Sequence, residues 1–163
     1  MEPKKLTEHF TAQELRVADA CTEVQGAARI LCHELLEPIR ARFGPLRITS
    51  GYRPPARNKS AGGKPTSFHL YEDGKAAADF RPETPGICLQ EVFDWIRLES
   101  GLKFDKVILE RGHQERHEFD DCIHIQTHIN EAPRRLAFTG ETGAGQVYTP
   151  AHVNPIRDQA VNA

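Results

Sequence analysis

Ser50-Gly51-Tyr52-Arg53-Pro54-Pro55, then Asn58, Gly62-Gly63 and Ser67-Phe68-His69, closing on Gly74-Lys75-Ala76-Ala77-Ala78-Asp79: the reading of this stretch decides the fold. It leaves a strand spanning Leu46 to Ser50 and ends in a short buried strand, Ala76 to Phe80. Between them, residues 54 to 68 hold three prolines and two adjacent glycines, which predicts a loop rather than an element. Long structured loops in compact domains are disproportionately functional. An aspartate behind three alanines is costly to bury unless it is paired or bound to a cation. His69 and Asp79 can supply two ligands to a metal ion. Catalytic zinc takes three protein groups and keeps one position for water, so a third ligand must come from elsewhere. His124 is the candidate.

Outward from that stretch, Thr11-Ala12-Gln13-Glu14 has capping-box spacing and predicts a short helix ending near Ala18. From Thr22 to Phe43, the residues Val24, Ala27, Ala28, Leu31, Leu35, Ile39 and Phe43 recur at threes and fours. They make one apolar stripe on a long helix, kinked at Pro38 and ended by Gly44-Pro45. Leu89, Val92, Phe93 and Ile96 mark a second amphipathic helix, and Phe104 to Glu110 reads as a strand. A polar loop from Arg111 to Asp120 follows. Cys122 to Ile129 then alternates, with Ile123, Ile125, Thr127 and Ile129 on one face and Cys122, His124, Gln126 and His128 on the other. The isoleucine face is expected to pack on the helices and the other to present His124 to a cleft. From Thr139 the chain loses periodicity. The expected organisation is one domain, 1–138, and an extended or partly disordered tail, 139–163. Gly140 to Gly145 resembles a phosphate loop only superficially, because Gln146-Val147 stands where lysine and a hydroxyl residue belong.

The chain has 163 residues, enough for one core without disulfide or metal staples. A net charge of −2 with no long Lys/Arg block argues against nucleic acid as a partner. The charged segment Met1 to Leu6 is followed by no apolar run, so no signal peptide is expected, and no membrane span either. Synthesis in the cytoplasm follows as an expectation. Cys21, Cys32, Cys88 and Cys122 form no C-x-x-C pair and read as buried, reduced thiols.

The order Ser-Gly-Tyr-Arg, Asn, Gly-Gly, Ser-x-His and Ala-Ala-Asp, followed by an Ile-His-Ile strand, resembles the zinc D-Ala-D-Ala carboxypeptidases. Vancomycin-resistance dipeptidases, phage L-alanyl-D-glutamate endolysins and the Hedgehog signalling domain are relatives in that group. The likeness covers roughly Leu6 to Ile129. It implies an α+β fold, a small antiparallel sheet flanked by helices, with one catalytic zinc. Matched residue by residue, it makes His69, Asp79 and His124 the metal ligands and Asp121 the general base. It also makes Arg53 the group that steadies the scissile carbonyl or oxyanion, with Ser67 and Tyr52 lining the substrate site. The implied activity is hydrolysis of an amide bond in peptidoglycan stem peptides, at D-Ala-D-Ala or L-Ala-D-Glu. The absence of a signal peptide suits a phage endolysin released onto the cell wall or a lysin carried in a virion among phage structural proteins. A catalytically silent binding module that keeps the zinc cradle is the alternative.

Two departures from the family pattern matter. The segment between His69 and Asp79 is three residues longer than usual, which makes Asp73 a rival to Asp79. The base is aspartate where glutamate is common, and its parity is opposite to that of His124, so Asp121 must sit in a loop or bulge before the strand. Glu110 and Glu118 are the other candidate bases. His113-Gln114-Glu115-Arg116-His117 misses both metalloprotease helix signatures and reads as an exposed loop. His128 reads as a second contact behind His124 or as a strand-end histidine.

Overall fold

The computed structural model describes residues 2–112, 121–142 and 147–157. Helix α1 (Thr22–Leu31) runs into a π-helical turn (Cys32–Leu36) and then α2 (Glu37–Phe43), so the long helix is interrupted beside Pro38 as expected. The cause is local. Pro38 has no N–H to donate, and its ring would press on the carbonyl four residues back. Glu37 N–H reaches instead to the Cys32 carbonyl, five residues back. The wider turn also serves packing, because a run of fours drifts about 40° per step on a regular helix. Leu31, Leu35, Ile39 and Phe43 nevertheless all stay buried.

Around Thr11 the capping-box bonds form: Thr11 N–H and Oγ1–H donate to the Glu14 carboxylate, and Glu14 N–H donates to Thr11 Oγ1. The expected helix does not follow. Residues 12–16 make turns only, and Arg16, at a φ of 59°, closes them. Residues 54–68 are likewise not all loop, since α3 (Pro55–Ser60) and the start of a 3₁₀ turn (Phe68–Leu70) lie there. Two prolines at a helix start cost no hydrogen bond, because those first N–H groups have no intrahelical partner. Helix α4 spans Leu89–Leu98 and buries Val92, Phe93 and Ile96 of the expected stripe.

Six strands form one sheet: β1 (Leu46–Ser50), β2 (Lys75–Pro82), β3 (Lys106–Gly112), β4 (Cys122–His128), β5 (Leu136–Thr142) and β6 (Tyr148–Ala151). Their order is β1-β2-β4-β3-β5-β6. Neighbours are antiparallel except β3 and β5, which run parallel, so the sheet is mixed rather than purely antiparallel. Strands β5 and β6 hold residues 139–142 and 148–151 within the sheet, past the expected domain boundary at 138. The pairing uses backbone groups, so side-chain periodicity gave no sign of it.

One face of the sheet carries Ala76, Ala78, Phe80, Val107, Leu109, Ile123 and Ile125 into the core with α1, α2 and α4. The opposite face of β4 is buried too at His124 and Gln126, with the His69 ring against that of His124. Ile129 falls in the turn after β4 and is exposed. Cys21 and Cys88 are exposed at the N-caps of α1 and α4, whereas Cys32 and Cys122 are buried, and all four are free thiols. No described helix is long and apolar enough to cross a membrane.

The extra residues between His69 and Asp79 are anchored rather than loose. Tyr71 is buried at a left-handed φ of 53°, and its hydroxyl donates to the Ala77 carbonyl at 2.7 Å. Removing that hydroxyl in Tyr71→Phe leaves the carbonyl without this donor. The expected cost is about 1–2 kcal/mol in denaturant unfolding; an unchanged midpoint would show the anchor to be idle.

Candidate metal centre

Asp79 on β2 and His124 on β4 stand directly opposite each other in the register, side by side on the face away from the helices. Cross-strand partners on one face hold their Cβ atoms about 5 Å apart, so a carboxylate and an imidazole there must meet. His124 Nδ1 lies 2.9 Å from Asp79 Oδ1. His69 arrives from the 3₁₀ turn above, with its Nε2 3.3 Å from Asp79 Oδ1 and 3.3 Å from His124 Nδ1. Three bonds of about 2.0–2.2 Å at tetrahedral angles separate their donor atoms by about 3.3–3.6 Å. The two 3.3 Å separations match one small divalent ion, and the 2.9 Å pair need open by only about 0.4 Å to do the same. Among the described residues this is the single group of three such side chains whose ligand atoms approach within 4.8 Å of one another.

The other nitrogens of both rings are spoken for. His69 Nδ1 sits 2.7 Å from the Gly51 carbonyl, which can only accept, so the proton of the neutral ring belongs on Nδ1 and Nε2 is the nitrogen left for an ion. Gly51 itself is pressed on the Leu15 carbonyl, where an added Cβ would stand 2.4 Å from the oxygen. Glycine is required at that close approach. His124 Nε2 meets Gln126 Oε1 at 2.9 Å, again an atom that only accepts, so Nδ1 is the nitrogen left for an ion.

Burial pushes the Asp79 carboxyl up, but the His69 charge and the bonds to both rings more than offset it and hold the group far below the usual carboxylate range. Burial pulls His124 down, and the Asp79 bond and charge reverse that, leaving the ring above its ordinary value. A raised folded pKa means that the proton on His124 is held at acidic pH and must leave before Nδ1 can bind a metal. Zinc affinity is therefore expected to fall at least tenfold per pH unit below that pKa, the proton displaced from His124 alone accounting for that much. Chelator competition from pH 8 to pH 5.5 checks it, and a flat profile would exclude His124 as a ligand.

Arg53 reaches into the site, with Nη2 3.5 Å from Asp79 Oδ2 and Nε donating to Ser50 Oγ at 3.1 Å. Ser67 caps the 3₁₀ turn, its Oγ accepting from His69 N–H at 3.2 Å, so its visible work is to orient the ligand. Tyr52 stacks edgewise on Tyr71 with ring centroids 5.6 Å apart, against the core. Asp121 precedes β4 as its parity requires, and its carboxylate accepts the Gly112 N–H. Glu110 lies on the site-facing side of β3 opposite Cys122, near Tyr148 Oη at 3.4 Å, and burial followed by the Asp79 charge raises its pKa. Asp73 is exposed in a turn at a φ of 54° and takes no part. His128 turns to Glu131 at 3.5 Å and to the Phe68 ring, outside the cluster. His113, His117 and Glu118 lie outside the described residues.

Gln126 is the residue that sequence reasoning passed over. Its one signal was its place on the His124 face of the strand, opposite the isoleucine face. A family model described as Peptidase M15 matches residues 8–107, a span that takes in His69 and Asp79 and stops short of His124. No curated protein matches the chain. The model covers more than half of the 163 residues, which settles the affiliation: this chain belongs to the peptidase M15 family.

Proposed function

We propose that the protein is a zinc-dependent peptidase that hydrolyses an amide bond in peptidoglycan stem peptides, D-Ala-D-Ala or L-Ala-D-Glu. The observation that carries this reading is the convergence of His69 Nε2, Asp79 Oδ1 and His124 Nδ1 on one point. A zinc ion there supplies a Lewis acid for the scissile carbonyl and lowers the pKa of water. Three protein ligands are the catalytic pattern, since structural zinc is closed by four.

The remaining work falls to side chains around the cluster. Asp121 takes the proton of the attacking water and returns it to the leaving amine. Arg53, already beside Asp79, is placed to offset negative charge growing on the carbonyl oxygen. Its guanidinium also suits the free carboxylates that stem peptides carry, by bidentate pairing.

Digestion of purified peptidoglycan by the zinc-loaded protein, with mass analysis of the released fragments, tests the proposal. Fragments cut at D-Ala-D-Ala or L-Ala-D-Glu are expected, and a chelator should abolish them until zinc is restored. Inertness across stem-peptide types would leave a binding module that keeps the cradle.

A further inference from the structure

We propose that Gln126, Asp105 and Arg134 form a positioning chain that dictates which nitrogen of His124 meets the metal ion. The inference rests on the metal reading of the His69, Asp79 and His124 cluster, and none of the three residues is a ligand in that reading. Each link is a short contact. Gln126 Oε1 lies 2.9 Å from His124 Nε2, and Gln126 Nε2 donates to Asp105 Oδ2 at 2.6 Å. Arg134 Nε and Nη2 each donate to the Asp105 carboxylate at 2.7 Å. Gln126 and Asp105 are 4% and 3% exposed, so water does not compete for these groups.

The direction of the chain follows from an inventory of protons. Arg134 donates at both of its bonds and never accepts. Its paired bonds favour the ionised carboxylate, so Asp105 can only accept. The Gln126 amide must then turn its NH₂ toward Asp105, which leaves Oε1 facing His124. That oxygen also only accepts, so the proton of a neutral His124 belongs on Nε2. Nδ1 is left bare on the side where Asp79 and His69 wait. A guanidinium on the connection between β4 and β5 thus sets a tautomer inside the sheet.

Asp105 is held at both ends to do this. Its N–H donates to the Gln126 carbonyl at 2.9 Å, and its own carbonyl accepts the Leu136 N–H at 3.0 Å. The backbone that carries the carboxylate is therefore fixed on both sides, and Gln126 and Arg134 hold the carboxylate itself. Without the chain, His124 could carry its proton on Nδ1 and point it at Asp79. The ion would have to pay for turning that preference over.

Zinc affinity by chelator competition, with the His124 imidazole proton followed by NMR in the zinc-loaded protein, tests the chain. In the wild type that proton is expected on Nε2, protected from exchange by Gln126. Gln126→Leu should weaken zinc about 10- to 100-fold, the usual effect of losing an outer partner of a ligand, and should lose the protected signal. The Arg134 side chain is half exposed, so Arg134→Ala tests the same chain without opening the core. It should weaken zinc in the same direction, and Arg134→Lys should recover part of the loss by restoring charge beside Asp105. Wild-type affinity and an unchanged Nε2 signal in both Gln126→Leu and Arg134→Ala would overturn the chain while leaving the metal site standing. A wild type that binds no zinc would overturn the metal reading itself, and the chain with it.

Discussion

Asp121→Ala is expected to slow stem-peptide hydrolysis about 100- to 10,000-fold, the range over which a positioned general base contributes. Asp121 stands three residues before His124, just outside the first residue of β4. The Gly112 N–H fixes one of its oxygens, so the group is oriented before substrate arrives. Aspartate is one methylene shorter than glutamate. Any shortfall in reach falls to the backbone, and Asp121 is bonded to Gly112 where β3 ends. The competing base is Glu110, which shares the site face and whose pKa is raised by burial and by Asp79. Glu110→Gln keeps the shape and removes the charge. Steady-state rates on peptidoglycan fragments, with zinc affinity measured alongside, separate the two. A loss confined to Asp121→Ala, with zinc still bound, is the expected result. A deep loss in Glu110→Gln with an active Asp121→Ala would transfer the role.

Asp79→Asn is expected to weaken zinc binding about 100- to 1,000-fold. Four-ligand zinc sites hold the ion by about 10–16 kcal/mol, roughly 2.5–4 kcal/mol for each ligand, and 1.4 kcal/mol is a factor of ten. Asparagine retains the side-chain volume and can still accept from His124, so the sheet should survive. Asp73→Asn is the matched control, because the lengthened segment made Asp73 the rival ligand. The structure places Asp73 exposed in a turn, and its substitution is expected to leave zinc affinity unchanged. Equal affinity in Asp79→Asn and wild type would mean that the ion sits elsewhere.

The apo protein should also answer to pH through the same pair. Asp79 has a depressed folded pKa, so its stabilisation is present above about pH 4 and lost as pH falls through the folded value. His124 has a raised one, so its share is present below about pH 6.5 and lost as pH rises through the folded value. Metal-free protein is thus expected to be most stable between those limits. Zinc should add more to the melting temperature at pH 8 than at pH 5.5.

Much of the scaffold was legible along the chain. The stripe from Val24 to Phe43 marks a helical face whichever way its turns are wound, because threes and fours are a property of the helix. The alternation from Cys122 to Ile125 marks a strand for the same reason, and it put His124 on the side away from the isoleucines. His69, Asp79 and His124 could be nominated because catalytic zinc accepts few residue types and the surrounding motif is long. Other features were not readable. The π turn depends on how Pro38 and the core share one helix. Helix α3 has too few residues to show a period. Strand β5 is recruited by backbone pairing with β3 and β6 by pairing with β5, which leaves no mark on side-chain order.

Residue order alone determined that this protein has helices over a sheet, and which imidazoles and carboxylate were worth watching. Only the tertiary structure decided that Asp79 rather than Asp73 faces His124, and that Gln126, Asp105 and Arg134 stand behind that histidine. Those outcomes rest on strand register and on contacts between residues 21 and 29 positions apart. A local pattern carries periodicity, whereas register is set by the whole core closing at once.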